Sequence, residues 1–238
     1  MGVDRKKCKN SRKRRGVRPR ARKAAPPADA LQTVLRALEE SARTKMELSM
    51  EEAGKLALAG GIIADALRAG RKAVFFGNGG SAADAQHLAA ELVGKFQLER
   101  RALPALALSV NTSALTAIAN DSDYKYVFSR QIEALVGEGD VAVALSTSGR
   151  SPSVLEGIRA ARERGARTIG LTGLAGEPMR RECELCITVP SLKTPRIQEV
   201  HITLGHILCE LVERELFGER ARAPPARAGA KVGRAARR

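Results

Sequence analysis

Phe76-Gly77-Asn78-Gly79-Gly80-Ser81-Ala82-Ala83-Asp84-Ala85-Gln86-His87-Leu88-Ala89-Ala90-Glu91 is the stretch on which the reading of this chain turns. An apolar run, Ala73-Val74-Phe75-Phe76, leads into it, breaks at glycine and asparagine, and gives way to an alanine-rich segment of good helix propensity. The pattern predicts strand, tight loop and helix. Gly79 and Gly80 carry no Cβ to hold a ligand off the backbone, and Ser81 suits an N-cap. The helix start therefore offers free N–H groups and a positive dipole end to an anion such as phosphate. His87 and Glu91 follow four residues apart and share one helix face. That pairing suits a base, a pair of metal ligands, or both.

Outward from this stretch, short apolar runs alternate with helical segments. Strands are predicted at 73–76, 103–108, 141–145, 168–171 and 186–189, and helices near 81–94, 113–119, 125–136, 152–164 and 196–217. Leu31, Val34, Leu35, Leu38 and later Leu56, Leu58, Ile62, Ile63, Leu67 have helical spacing, which predicts two helices between residues 29 and 68, ahead of the first strand. Strand–helix alternation implies a parallel sheet covered on both faces. The expected architecture is a three-layer α/β/α sandwich with a five-stranded parallel sheet, flavodoxin-like, and a helical N-terminal addition.

At 238 residues the chain suits one well-buried α/β domain, placed at residues 29–218. Its net charge of +15 sits in the tails: residues 1–30 carry +10 and residues 219–238 carry +6, which leaves −1 for the globular part. The basicity therefore belongs to appendages, residues 1–28 and 219–238, whose composition is that of disordered segments. Lacking interleaved aromatics, they support only nonspecific nucleic-acid contact. Cys8, Cys183, Cys186 and Cys209 form no zinc or disulfide framework, and Cys183 and Cys186 read as small residues near a strand start. No signal peptide or membrane-length apolar run is evident, so the expectation is a soluble cytoplasmic protein without a membrane partner.

A second loop, Leu145-Ser146-Thr147-Ser148-Gly149-Arg150-Ser151-Pro152, follows a predicted strand and opens a helix. In an open parallel sheet it falls on the same rim as Asn78, at the carboxyl ends of the strands. An ordinary serine-rich βα turn has the same look. Neither loop fits a nucleotide-binding pattern, and a phosphorylated sugar suits them better. Asn120-Asp121 closes a helix-like run and either holds a sugar hydroxyl at that rim or makes a helix C-terminal turn. On the last helix, His201 and His206 lie roughly 140° apart around the axis, so one small site takes at most one of them from this helix. Gln198 and His206 are some 12 Å apart along it, which is long for two ligands of one ion unless a second subunit contributes.

Together these segments resemble the sugar isomerase (SIS) domain family and, within it, the phosphoheptose isomerases, over about residues 30–217. The likeness rests on Gly77-Asn78-Gly79-Gly80-Ser81, His87 with Glu91, Ala119-Asn120-Asp121, Ser146-Thr147-Ser148-Gly149 with Ser151, and Arg196-Ile197-Gln198-Glu199-Val200-His201 with His206. It implies an aldose–ketose isomerase that interconverts sedoheptulose 7-phosphate and glycero-manno-heptose 7-phosphate through an enediol, supplying heptose for lipopolysaccharide, glycoprotein or capsule. It also implies a homotetramer with sites between subunits. By the same resemblance, Asn78, Gly79, Gly80, Glu91, Asn120, Asp121, Ser146, Thr147, Ser148, Ser151 and Gln198 contact substrate. His87, Glu91, Gln198 and His206 would be the ligands of one zinc per subunit, with Glu91 the base and His206 its partner.

Two residues depart from the family pattern. Lys95 stands where many relatives have arginine and Arg150 where many have asparagine; both keep or add positive charge expected near a phosphate. The family also contains a non-catalytic relative that binds the replication initiator DnaA. That relative lacks the acid and the late histidine, whereas Glu91 and His206 are both present here.

Overall fold

In the computed structural model the described residues are 27–218, so the disorder expected of residues 1–26 and 219–238 lies outside them. The described residues divide into two compact units, 27–36 and 37–218. The described elements run α1 (Ala28–Met46), α2 (Met50–Arg68), β1 (Ala73–Gly77), α3 (Gly80–Val93), β2 (Ala105–Ala107), α4 (Thr112–Asp121), α5 (Ser129–Leu135), β3 (Val141–Ser146), α6 (Pro152–Glu163), β4 (Arg167–Gly173), α7 (Glu177–Glu182), β5 (Leu185–Val189) and α8 (Thr194–Phe217).

The five strands form one parallel sheet in the order β2-β1-β3-β4-β5. β1 and β3 are buried along their whole length, which is why they read as unbroken apolar runs instead of alternating ones. Successive side chains enter two separate cores. Phe75, Val143 and Leu145 pack with Leu88 of α3 and Leu204 of α8, while Val74, Phe76 and Ala144 pack with Phe128 and Ile158 on the other face. These are the three layers expected from the alternation.

α3 and α8 lie side by side on the first face and run the same way. A methyl group built on Gly80 would stand 2.0 Å from Gln198 Nε2, and one on Gly205 would stand 2.5 Å from Leu88 Cδ2. The two glycines let the helices approach closely at the start of α3 and again in its middle.

Four local expectations are corrected. β2 covers only Ala105–Ala107, because Pro104 has no N–H for a ladder and instead lends its carbonyl to the Ala73 N–H at 3.1 Å. The helix expected at 125–136 divides into a 3-10 turn, Tyr124–Tyr126, and α5. α7 is an additional short helix between Gly176 and Cys183. Ser81 is not the cap of α3: Gly79, at φ 54°, holds that position, and Ser81 is buried inside the first turn against Gly77. The first N–H groups of α3 thus have no side-chain cap and remain open to an anion.

Candidate functional site

The chain passes from β1 outward to β2 and then returns to β3 on the other side, so β1 and β3 flank the point where strand order reverses. A crevice opens there beyond the carboxyl ends of the strands, and it is where ligands bind in sheets of this order. The glycine loop leaves β1 at Gly77 and the serine loop leaves β3 at Ser146, so both reach this crevice.

Asn78 ties the rim together. Its Nδ2 donates to Ser151 Oγ at 2.8 Å and to Ser153 Oγ at 2.9 Å, and its Oδ1 accepts from the Tyr124 hydroxyl at 2.9 Å. Ser146 is buried, and its Oγ accepts from the Gly149 N–H at 3.1 Å. Gly149 has φ 60°, and a methyl there would meet Gly176 Cα at 2.5 Å, so only glycine lets the loop fold back on the α7 approach. Arg150 Nε donates to the Ala175 carbonyl at 3.3 Å, which holds its guanidinium beside this loop. Thr147 is half-buried and Ser148 exposed. Tyr124 and Ser153 belong to the rim but were missed from the sequence: neither falls in a glycine- or serine-loop motif.

About two to three helix turns along α3 from its start at Gly80, His87 and Glu91 converge with His206, with one ligand atom from each within 4.8 Å of the others. His87 Nε2 is 2.9 Å from His206 Nε2 and 3.2 Å from Glu91 Oε1. Donors bound to one zinc ion at about 2.0 Å in a tetrahedron stand about 3.3 Å apart. The spacing and the two-nitrogen, one-carboxylate set therefore fit a zinc ion. The Phe96 ring stacks on His206 with centroids 5.5 Å apart and planes at 24°.

The other candidates divide. Gln198 sits against Gly80, two helix turns from His206, so this chain alone brings three of the four expected metal ligands together. Gln198 lines an open cavity of about 300 Å³ with Asp84, Pro195, Glu199 and Ile202. Burial pushes the Asp84 carboxyl up to about 6, and its Oδ2 is buried without a hydrogen-bond partner. Asn120 and Asp121 end α4, are exposed, and hydrogen-bond to each other at 2.8 Å. His201 is fully buried, so His206 is the one histidine of α8 at the site. Lys95 is ion-paired with Glu99 beyond the far end of α3. Roughly 20 Å of helix separates it from the glycine loop of its own chain, so it adds no charge there. Cys186 is buried within β5 and Cys183 half-buried beside it.

The SIS domain family matches residues 38–173. The phosphoheptose isomerase of Geobacter sulfurreducens is 58% identical over 170 residues, which is 71% of this chain and 90% of that protein. The phosphoheptose isomerase of Aquifex aeolicus is 50% identical over 191 residues, 80% of this chain and all of that protein. Among solved structures, the phosphoheptose isomerase of Neisseria gonorrhoeae superposes with a TM-score of 0.73 at 40% identity, covering 77% of this chain and 98% of its own. That of Francisella tularensis gives 0.75 at 30% identity, covering 78% and 98%. By matched length, identity and fold, this chain belongs to the SIS domain family and, within it, to the phosphoheptose isomerases.

Proposed function

We propose that this aldose–ketose isomerase interconverts sedoheptulose 7-phosphate and D-glycero-D-manno-heptose 7-phosphate, with Glu91 and His206 handling the protons. The observation that carries the reading is the convergence of Glu91, His87 and His206 about two to three helix turns past an uncapped, glycine-lined helix start. The phosphate is held by the open N–H groups of α3 and by the Ser146, Thr147, Ser148 and Ser151 loop, and Asn78 sets the distance between the two. Asn120, Asp121 and Gln198 reach the sugar hydroxyls. Glu91 takes the proton from the carbon beside the carbonyl and returns it to the neighbouring carbon, while His206 moves the proton between the two oxygens. His87, Glu91 and His206, with Gln198 from a second subunit, would hold one zinc per subunit, which would supply Lewis-acid polarisation of the carbonyl.

The assembly we infer is a homotetramer with sites between subunits. In support, Leu31, Val34, Leu35 and Leu38 are exposed at helical spacing on α1, and His87 keeps 47% of its side chain exposed. Among the described residues no helix is long and apolar enough to cross a membrane, and we place the enzyme in the cytoplasm, where it feeds heptose to lipopolysaccharide or capsule synthesis. The basic tails add at most nonspecific nucleic-acid contact. A non-catalytic, DnaA-associating role is disfavoured by isomerase relatives 50–58% identical.

The test is turnover of sedoheptulose 7-phosphate by the parent, Glu91→Gln and His206→Ala, each with added zinc and with chelator. Both variants should lose roughly 10²- to 10⁴-fold in kcat. A variant that keeps turnover within about threefold of the parent removes that residue from the proton path.

A further inference from the structure

Glu213, near the end of α8, has a side chain only 1% exposed, yet it is charged. Four donors surround its carboxylate: the N–H groups of Phe96 (2.8 Å), Gln97 (2.8 Å) and Leu98 (2.9 Å), and Arg100 Nε at 2.7 Å. These donors outweigh the cost of burial and hold the Glu213 carboxyl below the usual carboxylate range. Arg100 has no exposed side-chain surface. Its Nη2 donates to the Glu91 carbonyl at 2.8 Å, and its Nη1 donates to the carbonyls of Leu92 (2.9 Å), Gly94 (3.2 Å) and Arg101 (3.0 Å). The last carbonyls of a helix have no partner within it, so this guanidinium closes the end of α3.

The pair therefore fastens three things to one another: the Glu91 turn of α3, the 94–101 segment, and α8 below His206. The segment so fastened carries Phe96, whose ring lies on the imidazole of His206. We propose that the buried Arg100–Glu213 pair is a positioning device for the reaction, setting the Glu91 backbone and, through Phe96, the His206 ring. The proposal rests on the reading that Glu91 and His206 move the protons. Neither Arg100 nor Glu213 touches substrate in this scheme; both act through residues that do.

The experiment uses the full chain at matched metal content, with histidine labelled at ring carbon, since the chain has only three histidines. Glu213→Gln removes the charge that draws four donors together, and Phe96→Leu leaves the buried pair intact while removing the ring. Both should lower kcat roughly 10- to 100-fold with KM within about threefold, because misplacing a reacting group slows turnover more than it weakens binding. In both variants the His206 resonance should shift while that of buried His201 stays in place. If Glu213→Gln does not fold, Arg100→Lys takes its place: a lysine keeps the charge beside Glu213 but cannot span the carbonyls of Glu91, Leu92, Gly94 and Arg101, and parental kcat with His206 unmoved in it overturns the proposal. A folded Phe96→Leu with parental kcat overturns the proposal, as does a loss of kcat with His206 unmoved. Should His206→Ala prove fully active, the assignment of proton handling fails, and the His206 resonance alone then judges whether the pair positions that ring.

Discussion

His87 Nε2 and His206 Nε2 face each other at 2.9 Å, across the gap between two parallel helices, with Glu91 Oε1 3.2 Å from the first. Two imidazole nitrogens meet this closely only when one donates to the other or when both turn lone pairs toward a cation. With the Glu91 carboxylate beside them, the two nitrogens make up a donor set that fits a zinc ion.

The first prediction follows from that set. The purified parent should hold about one zinc per subunit by elemental analysis, and His87→Ala should bind it at least roughly tenfold more weakly by competition with a chromogenic chelator. Metal content unchanged in His87→Ala would mean that the three residues pair only with one another.

Gly80 carries a second prediction. A methyl there would stand 2.0 Å from Gln198 Nε2, so Gly80→Ala must push this side chain aside. Gln198 is the flexible end of a half-buried residue, and the backbone of α3 is undisturbed because alanine suits a first helical turn. The expected outcome is thermal stability within about 1 kcal/mol of the parent with KM for the heptose phosphate raised several-fold. A variant with parental KM would show that Gln198 does not meet substrate.

How far the sequence reached is visible in these same residues. Local pattern was enough for β1, the glycine loop and α3, since strand, breaker and helix signals lie within twenty residues of each other. The four-residue spacing of His87 and Glu91 and the angle between His201 and His206 depend only on helix geometry, and both hold in the structure: the first pair meets His206, while His201 is buried. Tyr124 reaching Asn78, 46 residues away, and Arg100 reaching Glu213, 113 residues away, depend on how layers stack, and no local spacing carries that information. Ser81 misled for a related reason: a serine before an alanine-rich run is a good cap by itself, but here Gly77 leaves room for it to turn inward. α7 was hidden by its length and its four charged residues, which present no periodic apolar face.

The last prediction concerns acid and neutral stability, where two buried groups work against each other. Burial raises the Asp84 carboxyl from 3.8 to about 6, and its Oδ2 has no partner. The folded state thus holds this proton more tightly than the unfolded chain. The penalty is absent below pH 3.8, grows as pH rises through 6, and is full above that. His201, fully buried with both ring nitrogens unpartnered, is lowered by burial from 6.5 to about 4. Here the folded state resists the proton, so the penalty is absent above pH 6.5, grows as pH falls, and is full below 4. Each shift amounts to at most about 3 kcal/mol, and between pH 4 and 6.5 the two slopes have opposite sign and largely cancel. Denaturant unfolding at fixed protein concentration, with chelator present, should therefore separate them. Asp84→Asn should be more stable than the parent by about 1–3 kcal/mol at pH 7.5 and equal to it near pH 4, while His201→Leu should gain on the parent as pH falls from 7 to 4. Stability differences that stay constant from pH 4 to 7.5 would show that neither group titrates differently in the folded protein.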